Sequence, residues 1–291
     1  MLKIVKFSFL ILVICEVSAR YFFGLGTPPI FILDDKVEYY FAPDQEVIRF
    51  GRNVRYNSFG MRNGREAYPT DKIILVAGDS VVNGGVLIDQ SELSTTLLEQ
   101  LLNRKTEYNY FVGNISAGSW GPKNVLEYMN KFGFMDAELF IYVVSTHDLY
   151  DHPTFEKQSK YDLPQSSHYF ALEEVLFKYV KRMAVKIFKP TEHSTDNREG
   201  FAKNDTISDI HNLIQRAPNA CVIVHPEVNQ LGSHIKSEFE DFLALIQFGD
   251  DVKVIDGRKF AEEPMYRDDI HLNVHGQKYL LNAFLECLSS Y

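Results

Sequence analysis

Two short segments hold the residues best suited to chemistry: Gly78-Asp79-Ser80, and Asp268-Asp269-Ile270-His271 near the far end of the 291-residue chain. A serine hydroxyl is a weak nucleophile until a histidine takes its proton, and that histidine needs a carboxylate to orient its ring. Asp268 and His271, three apart in a turn, can offer the carboxylate to one ring nitrogen while the other faces Ser80. Taken singly, each segment has a plainer reading, since Gly-Asp-Ser commonly marks a turn and Asp-x-x-His a surface cap. Their chemistry depends on whether the fold brings them together.

The surrounding pattern says that it does. Residues 72–77 form a short apolar run closed by Gly78, which predicts a buried strand. Further strand-like runs follow at 110–115, 139–144, 221–224 and 252–255, separated by helical patterns at 93–103, 124–132, 171–188, 208–216, 235–248 and 274–288. Five apolar strands alternating with helices predict a parallel sheet covered on both faces, an α/β fold. In such sheets ligands sit beyond the carboxyl ends of the strands. That places Asp79-Ser80 after the first strand, Gly118-Ser119-Trp120-Gly121 after the second, Ser145-Thr146-His147-Asp148 after the third, and Asp268 to His271 after the last. Four polar clusters converge on one edge.

At these residues the chain resembles the SGNH (GDSL-type) hydrolase family. Gly78-Asp79-Ser80 matches the family's first block, and Asp268 with His271, continuing through Leu272-Asn273 to Gly276, matches the last. The resemblance covers about residues 72–289 and implies a flavodoxin-like three-layer α/β/α fold that hydrolyses or transfers acyl groups. It implies Ser80 as nucleophile, His271 as general base and Asp268 as its orienting carboxylate. The segment Asn114-Ile115-Ser116-Ala117-Gly118-Ser119-Trp120-Gly121 resembles the block whose glycine amide lines the oxyanion hole, with either Gly118 or Ser119 in that place. The third block departs from the family, because His147 stands where the family has asparagine. A histidine N–H can still donate to an oxyanion, which would leave the role in place with an altered pH dependence.

Other readings compete at several positions. Ala117-Gly118-Ser119-Trp120-Gly121 is one substitution from the Gly-x-Ser-x-Gly elbow, which makes Ser119 a rival nucleophile. Gly84-Gly85 lacks the Lys-Ser or Lys-Thr of a phosphate loop, and no dinucleotide fingerprint is present, so no cofactor is expected. His225 and His275 have no spaced ligand partners and read as structural, with no metal expected. The helical pattern over 171–189 reads as core-packed with a solvated basic face, or as a basic helix resting on anionic headgroups or an acidic glycan. Residues 153–204 around it read as an insertion over the site.

Composition sets the outer limits. A net charge of -9 argues against a nucleic-acid partner, which needs a basic face. Three scattered cysteines, Cys15, Cys221 and Cys287, read as buried thiols rather than a disulfide framework. Residues 1–25 carry Lys3 and Lys6 ahead of an apolar run and read as a signal-anchor or, with Val17-Ser18-Ala19 as cleavage site, a signal peptide. As an anchor, this segment places Glu16 and Arg20 where long side chains reach the membrane interface. Residues 26–70, broken by prolines and glycines, read as an irregular arm ahead of a hydrolase-like domain at 71–291. The expected protein is membrane-associated through its N-terminal segment, or secreted if that is cleaved. It removes or transfers an O-acyl group, most fittingly acetyl, on a cell-surface polysaccharide, with a lipid ester or a non-catalytic glycan-binding module as alternatives.

Overall fold

The computed structural model describes residues 2–180, 183, 199–231, 236–249 and 251–289. In chain order, helix α1 (Leu2–Phe23) leads into two antiparallel hairpins, β1 (Phe31–Asp34) with β2 (Glu38–Phe41), and β3 (Gln45–Arg49) with β4 (Arg52–Tyr56). The arm is therefore not irregular throughout. Its strands are four or five residues long, too short to show a period between the proline and glycine breaks.

The five apolar runs form strands β5 (Lys72–Gly78), β6 (Tyr110–Ser116), β7 (Leu139–Ser145), β8 (Ala220–His225) and β9 (Lys253–Asp256). They pair in parallel in the order β6-β5-β7-β8-β9. Counted within the sheet this is 2-1-3-4-5, the flavodoxin-like order. Side-chain alternation splits each strand between two cores. Leu75, Phe140, Tyr142 and Val222 face a layer with helices α4 (Pro122–Phe132), α6 (Glu199–Arg216) and α7 (Lys236–Leu245). Ile74, Ile141, Val143 and Ile223 face α3 (Ser94–Lys105) and α8 (Val274–Leu288). The three-layer α/β class follows from residues whose both faces are buried.

Three expectations need correction. Cys221 on β8 and Cys287 on α8 form a disulfide, and Cys15 is exposed, so none of the three is a buried thiol. Sequence spacing hid the bridge, because only the packing of α8 on the sheet brings residues 66 apart into reach. The stretch after Phe170 is not a core-packed helix over its described part. It makes one turn, α5 (Ala171–Glu174), and then widens into a π-helix (Val175–Val180) whose Leu176, Phe177, Tyr179 and Val180 are exposed. Residues 181, 182 and 184–198 of that stretch lie outside the described residues.

The third correction concerns α1. Among the described residues no helix is long and apolar enough to cross a membrane. Glu16 and Arg20 do not reach for an interface. They fasten the last turns of α1 to the body: Glu16 accepts from the amides of Ala171 and Leu172 at 2.8 and 3.0 Å, capping α5, and Arg20 donates to the carbonyls of His168 and Tyr169. A buried ion pair between Arg49 on β3 and Glu174 on α5 ties the same corner to the arm.

Candidate active site

The first strand ends in a tight turn. Asp79 caps the short helix α2 (Ser80–Asn83), its carboxylate accepting from the Val81 amide at 2.8 Å, which leaves Ser80 at the first helical position with its hydroxyl at the carboxyl edge of the sheet. Only glycine fits at 78, since a Cβ there would lie 2.6 Å from Val82 Cγ2. The turn beyond is held from the arm. Arg62, fully buried, donates to the carbonyls of Asn83, Gly85 and Ile88 at 3.3, 2.7 and 3.0 Å.

The last polar cluster meets it from the other side. His271 Nε2 lies 3.0 Å from Ser80 Oγ, and Nδ1 lies 2.9 Å from each oxygen of Asp268. A carboxylate can only accept, so Nδ1 carries a proton and Nε2 of the neutral ring is free to take the serine's. Asp268 also accepts from the amides of His271 and Ile270, at 2.7 and 3.2 Å. Burial opposes ionisation of Asp268, but these amides and the facing His271 ring outweigh it and hold the carboxyl below its usual range.

The loop carrying Asp268 is braced from β8. His225, fully buried, lies 3.0 Å from the Ile270 carbonyl through Nε2 and 3.0 Å from the Tyr279 hydroxyl through Nδ1. A carbonyl accepts only, so Nε2 holds the proton and the tyrosine donates. Burial lowers this ring's pKa to about 4 and keeps it neutral, a structural role. His275, also read as structural, sits in the first turn of α8, its amide bonded to Asn273.

Gly78 and Ser116 are paired at the ends of β5 and β6, so Gly118 and Ser119 follow β6 at the carboxyl edge where Ser80 follows β5. Both are exposed, and among the described residues no hydrogen bond takes up the amides of Ser80, Gly118 or Ser119. Ser119 has a positive φ of 58°, and the Gly118 carbonyl is turned away to accept from the Tyr39 hydroxyl at 2.5 Å. Among the described residues the Ser119 hydroxyl has no histidine on it, whereas Ser80 has His271.

His147 is placed differently from a free donor. Its Nδ1 is 3.2 Å from Glu227, and its Nε2 is 3.3 Å from Asp79 and 3.5 Å from Asp148. Burial disfavours the charged ring, but the hydrogen bonds to Asp79 and Glu227 and the charge of Asp79 overcome it and push its pKa up to about 11. The imidazolium in turn holds Asp79, itself buried, ionised below its usual range. Asp148, fully buried beside Asp79, is pushed well up. Both ring N–H groups thus point at carboxylates, and Asp79 passes the contact on, its Oδ2 lying 3.4 Å from Ser80 Oγ.

Asp79, His147 and Asp148 also present ligand atoms within 4.8 Å of one another, a group that could hold a metal ion. In this arrangement the protons of His147 already bridge it. Glu227 was not singled out from the sequence, although it follows β8 at the same carboxyl edge, where the strand-end rule looks. Arg62 gave no signal at all, being one arginine in a glycine-broken arm.

No protein-family model matches this chain, and no curated protein matches it. Solved structures similar to it include TesA, at 14% identity and a TM-score of 0.47 over 75% of this chain and 98% of that one. The lipase Lip_vut3 from a goat rumen metagenome is 10% identical, TM-score 0.47, over 74% and 97%. A catalytic mutant of Axe2, an acetylxylan esterase from Geobacillus stearothermophilus, is 13% identical, TM-score 0.44, over 77% and 96%. Likeness at these values leaves the chemistry to this chain's own residues.

Proposed function

We propose that this chain is a serine-dependent O-acyl ester hydrolase or transferase of the SGNH type, acting outside the cytoplasm on an acylated glycan. The observation that carries the reading is the hydrogen-bonded series Ser80–His271–Asp268, built from the ends of the first and last strands at 3.0 and 2.9 Å. His271 Nε2 takes the Ser80 proton as Oγ bonds to the acyl carbon. The amides of Ser80 and of Gly118 or Ser119 receive the oxyanion, where such donors each contribute about 3 kcal/mol. His271 then gives the proton to the leaving alkoxide as the C–O bond breaks, leaving an acyl group on Ser80. Water as second acceptor gives the acid and a free enzyme; a sugar hydroxyl gives a transferred ester.

In this reading His147 positions rather than donates: it holds Asp79, and Asp79 fixes the turn that presents Ser80. The Cys221–Cys287 disulfide supports an oxidising, extracytoplasmic compartment. Apolar side chains all round α1 are exposed, Leu2, Ile4, Phe7 and Phe9 among them, which supports association with a membrane surface.

Intact-mass labelling with a fluorophosphonate tests the nucleophile. The adduct is expected on wild type and Ser119→Ala and lost in Ser80→Ala and His271→Ala. Loss in Ser119→Ala alone moves the nucleophile to the elbow serine, and no adduct on folded wild type leaves the binding-module alternative.

A further inference from the structure

Beside Gly118 and Ser119 the chain leaves an open groove. One cavity of about 400 Å³ is lined by Phe31 and Tyr39 of the first hairpin, by Gly118 and Ser119, and by Asp151 and Asp162 of the loop after β7. A second, of about 430 Å³, continues away from it and shares Glu38, Tyr39, Gln158 and Leu163. Together they make a trough with the arm hairpin as one wall and residues 151–165 as the other.

The walls are built, not incidental. Glu38 on the hairpin accepts from the amides of Thr154 and Phe155, both at 2.9 Å, and the Phe31 amide donates to the Pro164 carbonyl at 2.8 Å. Gly121 admits the opposite loop, since a Cβ there would lie 1.9 Å from the Asp151 carbonyl oxygen. Three non-glycine residues lining the trough, Glu38, Ser119 and Phe155, hold positive φ values of 76°, 58° and 53°. Such conformations are costly and persist where surrounding structure imposes them, often at ligand sites.

Its chemistry is one-sided. Asp35, Glu38 and Glu156 line the second cavity against Lys157, while Asp34, also in its lining, is paired with Lys131 at 2.7 Å. Acceptor oxygens along an elongated, partly aromatic trough bind hydroxyl donors and repel anions. We propose that this trough is the glycan subsite of the enzyme, and that it takes several units of a neutral, polyhydroxylated chain with the acylated unit at the Gly118–Ser119 end, excluding uronate polymers. The proposal rests on the esterase reading above for what happens at that end, but the trough's occupancy does not require turnover.

Binding is therefore measured by calorimetry on the full chain carrying Ser80→Ala, with neutral hexasaccharides of glucose, xylose, mannose and N-acetylglucosamine and with hexagalacturonate. At least one neutral hexasaccharide is expected to bind and hexagalacturonate is not, and Gln158→Ala, at the junction of the two cavities, weakens the neutral ligand about tenfold. In the Ser80-intact protein the same Gln158→Ala raises KM for the O-acetylated form of that oligosaccharide about tenfold with little change in kcat. No binding by any neutral hexasaccharide, binding insensitive to Gln158→Ala, or preference for the uronate overturns the subsite. An inactive wild type that still binds in this pattern overturns the esterase reading and leaves the subsite standing.

Discussion

His271 Nε2 stands 3.0 Å from the hydroxyl of Ser80, although 191 residues separate them. The contact needs no substrate to form, so in the esterase reading the base is in place before the ester arrives. Replacing His271 by alanine is expected to lower kcat on an aryl acetate by about 10⁴-fold or more with little change in KM, because the loss falls on the transition state. Asp268→Asn is expected to cost less, on the order of 10²-fold, since this carboxylate is half exposed and water can replace part of its field. Steady-state kinetics on the two variants check the order; equal losses would mean Asp268 does more than orient the ring.

The cation on His147 gives a pH prediction whose sign is fixed. Its folded pKa, about 11, exceeds the unfolded value of about 6.5. A base shifted this way adds its full stability below the unfolded pKa and loses it as pH rises through the folded one. Wild-type stability in urea should therefore fall between pH 7 and 10 more steeply than that of His147→Asn, which has no such proton to lose. Glu227→Gln, which removes one of the two carboxylates on the ring, should end the decline at a lower pH and make it smaller. Parallel curves for wild type and His147→Asn would show a neutral ring.

What the sequence made legible follows from how local each signal is. The five strands could be read because both faces of the sheet are covered, so the strands run largely apolar, β5 to β8 most clearly, and the strand-end rule then led to Ser80, Gly118, His147 and His271 together. Helix ends were nearly as readable: 274–288 coincides with α8 because Asn273 caps it. Pairings across the fold were not. Nothing near His147 announces that Glu227 lies on its other nitrogen, and nothing near Glu16 says that it caps a helix turn 155 residues away. The long pattern at 171–188 misled for a physical reason. Its apolar residues do recur at helical spacing, but among those described most remain exposed beside α1 instead of facing the sheet.

Arg62 is the arm's hold on the turn after Ser80, and its loss should be felt as stability first. Its guanidinium is fully buried and supplies the donors for three carbonyls of residues 83–88. Arg62→Ala strands those acceptors away from water, at an expected cost of about 3–5 kcal/mol in urea denaturation. Arg62→Lys keeps the charge without the planar fork and should recover only part of it. If Arg62→Ala costs under about 1 kcal/mol, water replaces the clamp and the arm is not what sets the turn.

The disulfide between Cys221 and Cys287 closes a loop of 66 residues across β8 and α8, the helix that follows the His271 segment. Closing a loop of that length removes conformational freedom from the unfolded chain worth about 4 kcal/mol in the chain-entropy account. Cys287→Ser, or reduction before denaturation, should lower the urea midpoint and steepen the slope, since the unfolded chain without the tie exposes more surface. Activity at 25 °C should survive reduction, because the Ser80–His271 contact is held by His225 and Tyr279 through the Ile270 carbonyl and does not pass through either sulfur. Simultaneous loss of activity and stability on mild reduction would mean that α8 needs the covalent tie to keep His271 over Ser80.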